Sequence, residues 1–213
     1  MLNNKREKQV PTELYNSFLK YSNYERWVSY YYQTKEILSG DFVSMLEIGV
    51  GNKILKLMIE NQSSLHYQSM DIDSSLRPNI VGSVTSIPLK DKSVDLVCAF
   101  QILEHLSFEE FERSLSEMAR VSKRKVFISL PHFGPPIKIK FKIPFLKEVV
   151  FAYKIPYPQK HKFNGHHYWE IGKKGYSLKM IRAVIEKYFF IEKEYIPFDN
   201  QYHHFFILKL KNK

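Results

Sequence analysis

Residues 41–52 read DFVSMLEIGVGN, a short apolar run that ends in Glu47 and then a turn carrying Gly49 and Gly51. A strand that stops at a glycine turn leaves backbone N–H groups pointing into the crevice at a sheet's carboxyl edge, where α/β proteins hold nucleotide-like ligands. Few local patterns constrain fold and ligand chemistry as much, although two glycines alone also make an ordinary tight turn.

Charge separates the ligands such a turn can take. A dinucleotide sets its pyrophosphate against the turn and the next helix N-terminus, so a carboxylate just before the first glycine repels it. Glu47 occupies that place. S-adenosylmethionine carries no phosphate, and its sulfonium and ammonium groups are cationic, so the same carboxylate attracts it. The pattern G-x-G-x-x-G also wants glycine at position 54, where this chain has Ile54. The turn therefore favours the methyl donor over a nicotinamide cofactor, and with it disfavours a dehydrogenase.

A second strand over residues 65–70 runs into Asp71 and Asp73, about twenty residues after the glycines, the distance at which a βαβ unit brings an acidic side chain to a ribose. Asp71 is the better placed of the two. Ile87-Pro88 and the turn Asp91-Lys92-Ser93 then lead into the apolar run Val94–Phe100, which reads as a buried parallel strand. Ser107 caps the helix that follows, Glu110 lies three residues on, and Phe108, Phe111, Leu115 and Met118 mark its apolar face.

Taken together, LEIGVGN, MDID, IPLKDKSVDLV and ILEHL resemble the class I S-adenosylmethionine-dependent methyltransferases, in particular the group described as methyltransferase type 11. The likeness covers residues 42–130, and four segments in order are more specific than any one of them. It implies an α/β fold: a Rossmann-like seven-stranded, mostly parallel sheet with an antiparallel last strand and helices on both faces. It also implies roles for single residues. Glu47, Gly49 and Gly51 would line the methionine part of the cofactor, Asp71 would bind the ribose hydroxyls, and Ile72 would lie against adenine. Ser83 and Val84 would meet the adenine edge, and Phe100 and Gln101 would face the methionine moiety. Two positions depart from the pattern, since Lys53 stands where a third glycine is usual and Ser83 where an acidic residue is usual. A lysine that begins a helix can aim outward, and a serine hydroxyl can still accept from the adenine amino group. The departures keep open a methyltransferase-like protein that binds without turnover.

At 213 residues and 44% hydrophobic content, the chain can bury one substantial core, and a single domain is expected. Residues 1–41 form an N-terminal helical cap after a polar start, with Leu14, Phe18, Trp27, Tyr31 and Leu38 among its apolar positions, and it packs over the cofactor or acceptor site. Residues 42–131 are the cofactor core, with a fifth strand over 126–130 after a Lys123-Arg124-Lys125 turn. Residues 132–176 form a lid and acceptor segment, in which 133–162 read as an inserted basic loop. Residues 177–213 supply a helix from Ser177 to about Tyr188 and two antiparallel strands, 189–196 and His203–Leu210. Cys98 reads as a small core residue. With a polar N-terminal decapeptide and no apolar run long enough to span a membrane, the expected compartment is the cytoplasm.

The net charge of +10 is unevenly spread: residues 132–213 hold sixteen Lys and Arg against six acidic residues, while residues 41–131 hold ten against twelve. Residues 137–162 interleave lysines with Ile, Phe and Tyr, which suits a peripheral contact with anionic head groups and a small-molecule, glycan or lipid-linked acceptor. A solvated lysine-rich edge gives the same pattern. An RNA methyltransferase is the alternative, because basic residues among aromatics also bind nucleic acid. RNA and DNA rank lower, since the Asn-Pro-Pro-Tyr type segment that would mark an amino-methylating DNA enzyme does not follow the fourth strand and no separate RNA-binding module is visible.

Methyl transfer to an O or N atom needs chiefly a placed acceptor, with a base only where a proton must leave. His105 and His132 follow the fourth and fifth strands and are the candidate bases, although His105 also fits a packing role at a helix start. His166, His167 and Trp169, in NGHHYWEIG, read as acceptor contacts. No metal is expected, because no cysteine or carboxylate completes a familiar spacing with the histidines. His203 and His204 should alternate across the two faces of the last strand.

Overall fold

The computed structural model describes residues 12–15, 17 and 21–211. Phe18 and the polar N-terminal decapeptide lie outside the described residues. The elements run α1 (Thr12–Tyr15), α2 (Tyr24–Leu38), β1 (Ser44–Ile48), α3 (Ile54–Gln62), β2 (His66–Asp71), β3 (Ile80–Val81) and β4 (Val94–Phe100). They continue with α4 (Phe108–Val121), β5 (Ser122–Pro131), β6 (Pro136–Phe141), β7 (Val149–Lys154), α5 (Leu178–Ile185), β8 (Phe189–Tyr195) and β9 (His203–Leu210).

The main sheet has seven strands in the order β3-β2-β1-β4-β5-β9-β8. Strands β1 to β5 pair in parallel, and β9 runs antiparallel to both β5 and β8. β1 and β4 sit at the centre with apolar side chains on both faces, as expected of a sheet covered on both sides. Alternate residues of these strands feed two cores. Leu46, Ile48, Val97, Ala99, Val126 and Ile128 pack with Phe111, Leu115 and Met118 of α4 and Ile181 and Ile185 of α5. Met45, Leu96, Cys98 and Phe127 pack with Ile37 of α2 and Leu55 and Ile59 of α3. Cys98 is fully buried, and burial pushes its thiol well above the ordinary range, as befits a core residue.

Helix α4 starts where the sequence marks it: the Glu110 carboxylate accepts from the Ser107 backbone N–H at 3.4 Å. Three boundaries differ from expectation. β5 begins at Ser122, directly after α4, so Lys123, Arg124 and Lys125 are strand residues rather than a turn. Acidic partners accommodate them there: Asp95 lies 3.6 Å from Lys123, Asp41 2.7 Å from Arg124 and Glu192 2.6 Å from Lys125. α5 stops at Ile185 rather than near Tyr188, because Glu186 closes it and Phe189 already pairs with β9. The inserted segment is ordered as a β6–β7 hairpin, with Ile137 opposite Tyr153, Ile139 opposite Phe151 and Phe141 opposite Val149. Strand alternation puts these six apolar side chains on one face and Lys138 and Lys140 on the other. Every residue of β6 and all but Lys154 of β7 are exposed. Among the described residues no helix is long and apolar enough to cross a membrane.

Trp169, expected as an acceptor contact, turns into the core instead. Its ring is fully buried between Phe108, Phe111 and Tyr176, and its indole N–H donates to the Leu106 carbonyl at 3.1 Å. It joins the acceptor segment to α4 through the core. Trp169→Ala is therefore expected to cost roughly 3–5 kcal/mol of stability, seen as a lower urea midpoint with little change in slope.

Candidate active site

The carboxyl ends of β1, β2 and β4 frame a crevice, and Glu47 is its deepest charge. Its carboxylate accepts a hydrogen bond from the Tyr67 hydroxyl and is almost fully buried. Burial pushes the Glu47 carboxyl up to about 8, the Tyr67 hydrogen bond opposes that rise, and the nearby Asp71 adds to it. Gly49 follows with φ 84°, and a Cβ there would collide with the Ile102 side chain. Glycine is thus required both by backbone conformation and by space. Asp71 fastens this turn to β2: its two oxygens accept from the Val50 N–H at 3.0 Å and the Asp73 N–H at 2.9 Å. Lys53, in place of a third glycine, keeps the left-handed conformation with φ 64°.

The N-terminal segment closes one side. Positions on a Cβ added to Gly51 (φ 46°) would lie 3.5 Å from the Tyr21 hydroxyl and 3.6 Å from the Tyr15 ring. Arg26 sits 4.0 Å over the Tyr21 ring and donates to its hydroxyl at 3.1 Å. Tyr30 donates to Asn52 Oδ1 at 2.9 Å, and Ser29 Oγ meets His203 Nδ1 at 2.7 Å. Arg26, Ser29, Gln33 and His203 line the crevice with Glu47, Gly49, Gly51, Phe100 and Gln101. The sequence reading missed Tyr21, Arg26, Ser29, Gln33 and His203. A signal existed for three of them: Arg26, Ser29 and Gln33 recur at helical spacing as a polar stripe within the aromatic-rich α2.

Ile72, Ser83 and Val84, also expected at the cofactor, are not among the residues that line the crevice. Ile72 is exposed beyond Asp71. Ser83 Oγ lies 3.0 Å from Thr85 Oγ1, and the Val84 side chain belongs to the main core. Gln101 has φ 56°, and Ser129 holds it twice, through the backbone N–H at 3.0 Å and the side-chain amide at 3.2 Å.

A second group of side chains meets just past β4. Glu104 is wholly buried, and among the described residues neither carboxylate oxygen has a hydrogen-bond partner. His105 Nδ1 lies 2.9 Å from the His166 carbonyl, and His167 Nδ1 lies 3.0 Å from Glu170 Oε1, which also accepts from the Tyr202 hydroxyl at 2.7 Å. Burial lifts the Glu104 carboxyl to about 7 and lowers the His105 imidazole to about 4. For His167, burial pulls down, but the Glu170 hydrogen bond and the charges of Glu104 and Glu170 prevail and the net shift is upward. The sequence reading saw no carboxylate to join these histidines; the fold supplies Glu104. His166 itself is exposed and contributes its carbonyl to the cluster.

His132 is elsewhere. It lies in an open groove of about 520 Å³ lined also by Phe133, Lys154, Tyr157, Gln201 and Tyr202. Its Nδ1 meets His204 Nδ1 at 2.9 Å, and burial, with Lys154 and His204 nearby, depresses it to about 3. A group so weakly basic is a poor proton acceptor near neutrality. Lys154 Nζ donates to the carbonyls of His132 and Gln201, tying the base of the hairpin to the groove floor. His203 and His204 do take opposite sides of β9, one toward the crevice and one toward His132 and Glu194.

Residues 46–130 match the family model described as a methyltransferase domain. Among solved structures, the chain is similar to the N-methyltransferase NodS of Bradyrhizobium japonicum in complex with S-adenosyl-L-homocysteine, with 9% identity over 89% of each chain and a TM-score of 0.56. It is similar to an S-adenosylmethionine-dependent methyltransferase of Clostridium acetobutylicum, with 8% identity over 94% of this chain and 97% of that one and a TM-score of 0.58. It is also similar to the magnesium protoporphyrin IX methyltransferase of Synechocystis with bound SAM, with 13% identity over 88% of this chain and 80% of that one and a TM-score of 0.52. At these identities the likeness is one of fold. No curated protein matches the chain.

Glu47 and Glu104 both sit well above the ordinary carboxyl value of 4.5. Between that value and their folded values the native state keeps protons that the unfolded chain has lost, so the stability these two groups contribute falls as pH rises through this window, while His105, His132, His203 and His204, all held below the ordinary 6.5, contribute in the opposite sense up to about that pH. Glu47→Gln, which can still accept from Tyr67, removes the share of that residue, so the Tm of the variant minus that of the wild type is expected to rise between about pH 5 and about pH 8.5.

Proposed function

We propose that this chain, whose residues 46–130 form a class I S-adenosylmethionine-dependent methyltransferase domain, binds that cofactor in the Glu47 crevice and methylates an O or N atom of an acceptor presented at the β4–β5 end. The observation that carries the reading is the buried Glu47 carboxyl beside a glycine turn. A group that resists ionisation in the bare crevice becomes favourable as an anion only next to a cation, and a pyrophosphate would raise its cost further. Glu47, Gly49 and Gly51 would hold the methionine end, with Phe100 and Gln101 beside it and Arg26 available to its carboxylate. Asp71 would take the ribose hydroxyls, with Ile72, Ser83 and Val84 toward adenine. Bound there, the cofactor supplies an electrophilic methyl group on a sulfonium.

The chain's own residues place the acceptor, and His167, which is held above its ordinary value, is better suited to take its proton than His105, which at about 4 is nearly as weak a base as His132. The cluster of Glu104, His105 and His167 lies just past Gln101, the residue that follows β4, and His166 supports it through its carbonyl. His132 lines the adjoining groove, where it serves better as a neutral hydrogen-bonding group than as a base.

The β6–β7 hairpin supports a lipid-linked acceptor or an anionic membrane surface. Ile137, Ile139, Phe141, Val149, Phe151 and Tyr153 form an exposed apolar face, and Phe145 stands fully exposed at the tip between Lys142 and Lys147. Apolar groups that enter the interface while lysines meet head groups suit peripheral binding.

Two outcomes follow. Calorimetric titration should show S-adenosylmethionine binding and no comparable NAD binding. Binding should release protons and tighten with rising pH, by up to about tenfold per unit below pH 8, because Glu47 ionises beside the cation. Equal NAD affinity would sink the reading. In sedimentation with vesicles, Phe145→Ser combined with Phe141→Ser should cut binding to anionic bilayers about tenfold or more and leave cofactor affinity unchanged. Unaltered vesicle binding, or salt-sensitive capture of tRNA in its place, would count against the membrane contact.

A further inference from the structure

We infer that Glu104, His105 and His167 form a binding site for a divalent first-row transition-metal cation. One oxygen of Glu104 and one ring nitrogen from each histidine lie within 4.8 Å of one another. Ligand atoms about 2.1 Å from a shared ion stand roughly 3.0–3.5 Å apart, so the three need to draw together by only about 1–2 Å. The residues come from two segments distant in sequence, the turn after β4 and the stretch before α5, so their meeting is a product of the fold and not of a local motif.

Three further features point to a cation. The Glu104 carboxylate is completely enclosed, and among the described residues neither oxygen has a hydrogen-bond donor. Buried carboxylates without partners are costly, and a metal ion satisfies both their charge and their lone pairs. His167 is oriented through Nδ1 by Glu170, which Tyr202 holds in turn. His105 is oriented through Nδ1 by the His166 carbonyl. Carboxylate and backbone carbonyl are the outer partners that ligating histidines ordinarily have. One carboxylate with two imidazoles suits manganese, iron, cobalt or zinc better than the all-oxygen surroundings preferred by calcium and magnesium.

Three protein ligands leave coordination positions for other oxygens. Gln101 lines the Glu47 crevice, and Glu104 and His105 lie in the short turn three and four residues after it, so the cluster adjoins that crevice. Resting on the methyl-transfer reading, the acceptor class this implies is one with a hydroxyl or adjacent oxygens. A cation that coordinates a hydroxyl lowers its pKa and fixes its position, which removes the need for a strongly basic side chain.

The test is metal uptake by the full chain, stripped with a chelator and dialysed against Co2+, Mn2+ or Zn2+ without cofactor. One equivalent of Co2+ per chain with visible d–d bands is expected. His105→Gln and His167→Gln should each weaken Co2+ binding about a hundredfold or more, and Glu170→Gln about 10- to 100-fold. His66→Gln, at the exposed start of β2, should leave it unchanged. Absence of stoichiometric uptake by the wild-type chain overturns the site, as does uptake that survives in both histidine variants with far-UV circular dichroism showing them folded. Glu104→Gln supplies a third variant should either histidine variant not fold. Titration of the metal-free chain with S-adenosylmethionine tests the methyl-transfer reading separately, so either can fail alone.

Discussion

A carboxylate held at the end of the central strand, away from water, governs the chemistry of this molecule. Glu47 continues the apolar run of β1, and its neighbours in the sheet, β2 and β4, leave it no solvent. The Tyr67 hydroxyl from β2 is its hydrogen-bond donor, and Asp71, one turn along the same edge, binds the glycine turn. Two acidic groups so placed repel each other, which burial strengthens. A ligand with positive charge relieves both costs at once, and a phosphate would deepen them. The same backbone turn that elsewhere cradles phosphates is thereby tuned for a different partner.

The parts of this arrangement that are local in sequence could be read from sequence. β1 and β4 announce themselves as apolar runs because both faces are covered, and Gly49 is marked because no side chain fits against Ile102. The Ser107–Glu110 pair gives the start of α4 for the same reason. What could not be read depends on long-range packing. Nothing local tells that Glu104 faces His167, that Ser29 of α2 reaches His203 of β9, or that Trp169 turns inward. The hairpin lies between: its prolines and lysines suggested an irregular loop, yet Ile137, Ile139 and Phe141 alternate with lysines at the two-residue period of a strand. At β5 the basic triplet resembled a turn, and only Asp95, Asp41 and Glu192 on neighbouring elements make it comfortable in a strand.

The hairpin and the site are mechanically joined. Lys154 closes β7 and gives its ammonium protons to carbonyls of His132 and Gln201, which flank the groove at the ends of β5 and the β8–β9 connection. Burial brings that ammonium down to about 8, with Glu170 opposing the fall, so this anchor is itself sensitive to what enters the groove. Tyr202 lines the groove and donates to Glu170, which orients His167. A chain of direct contacts thus runs from the exposed apolar face, through Lys154 and Tyr202, to the cluster behind Gln101.

Backbone strain marks the same region. Lys53, just after the glycine turn, and Gln101, just after β4, hold left-handed conformations although neither is glycine. Such residues persist only where surroundings over-determine them. For Gln101 those surroundings are two bonds to Ser129, so the end of β4 is clamped to β5 at the point where the donor crevice and the Glu104 cluster meet. For Lys53 the turn itself dictates the conformation, with the Lys53 N–H returning to the Val50 carbonyl at 3.0 Å. Glycine would adopt that left-handed conformation at lower cost, so the turn holds Lys53 in a conformation its side chain disfavours.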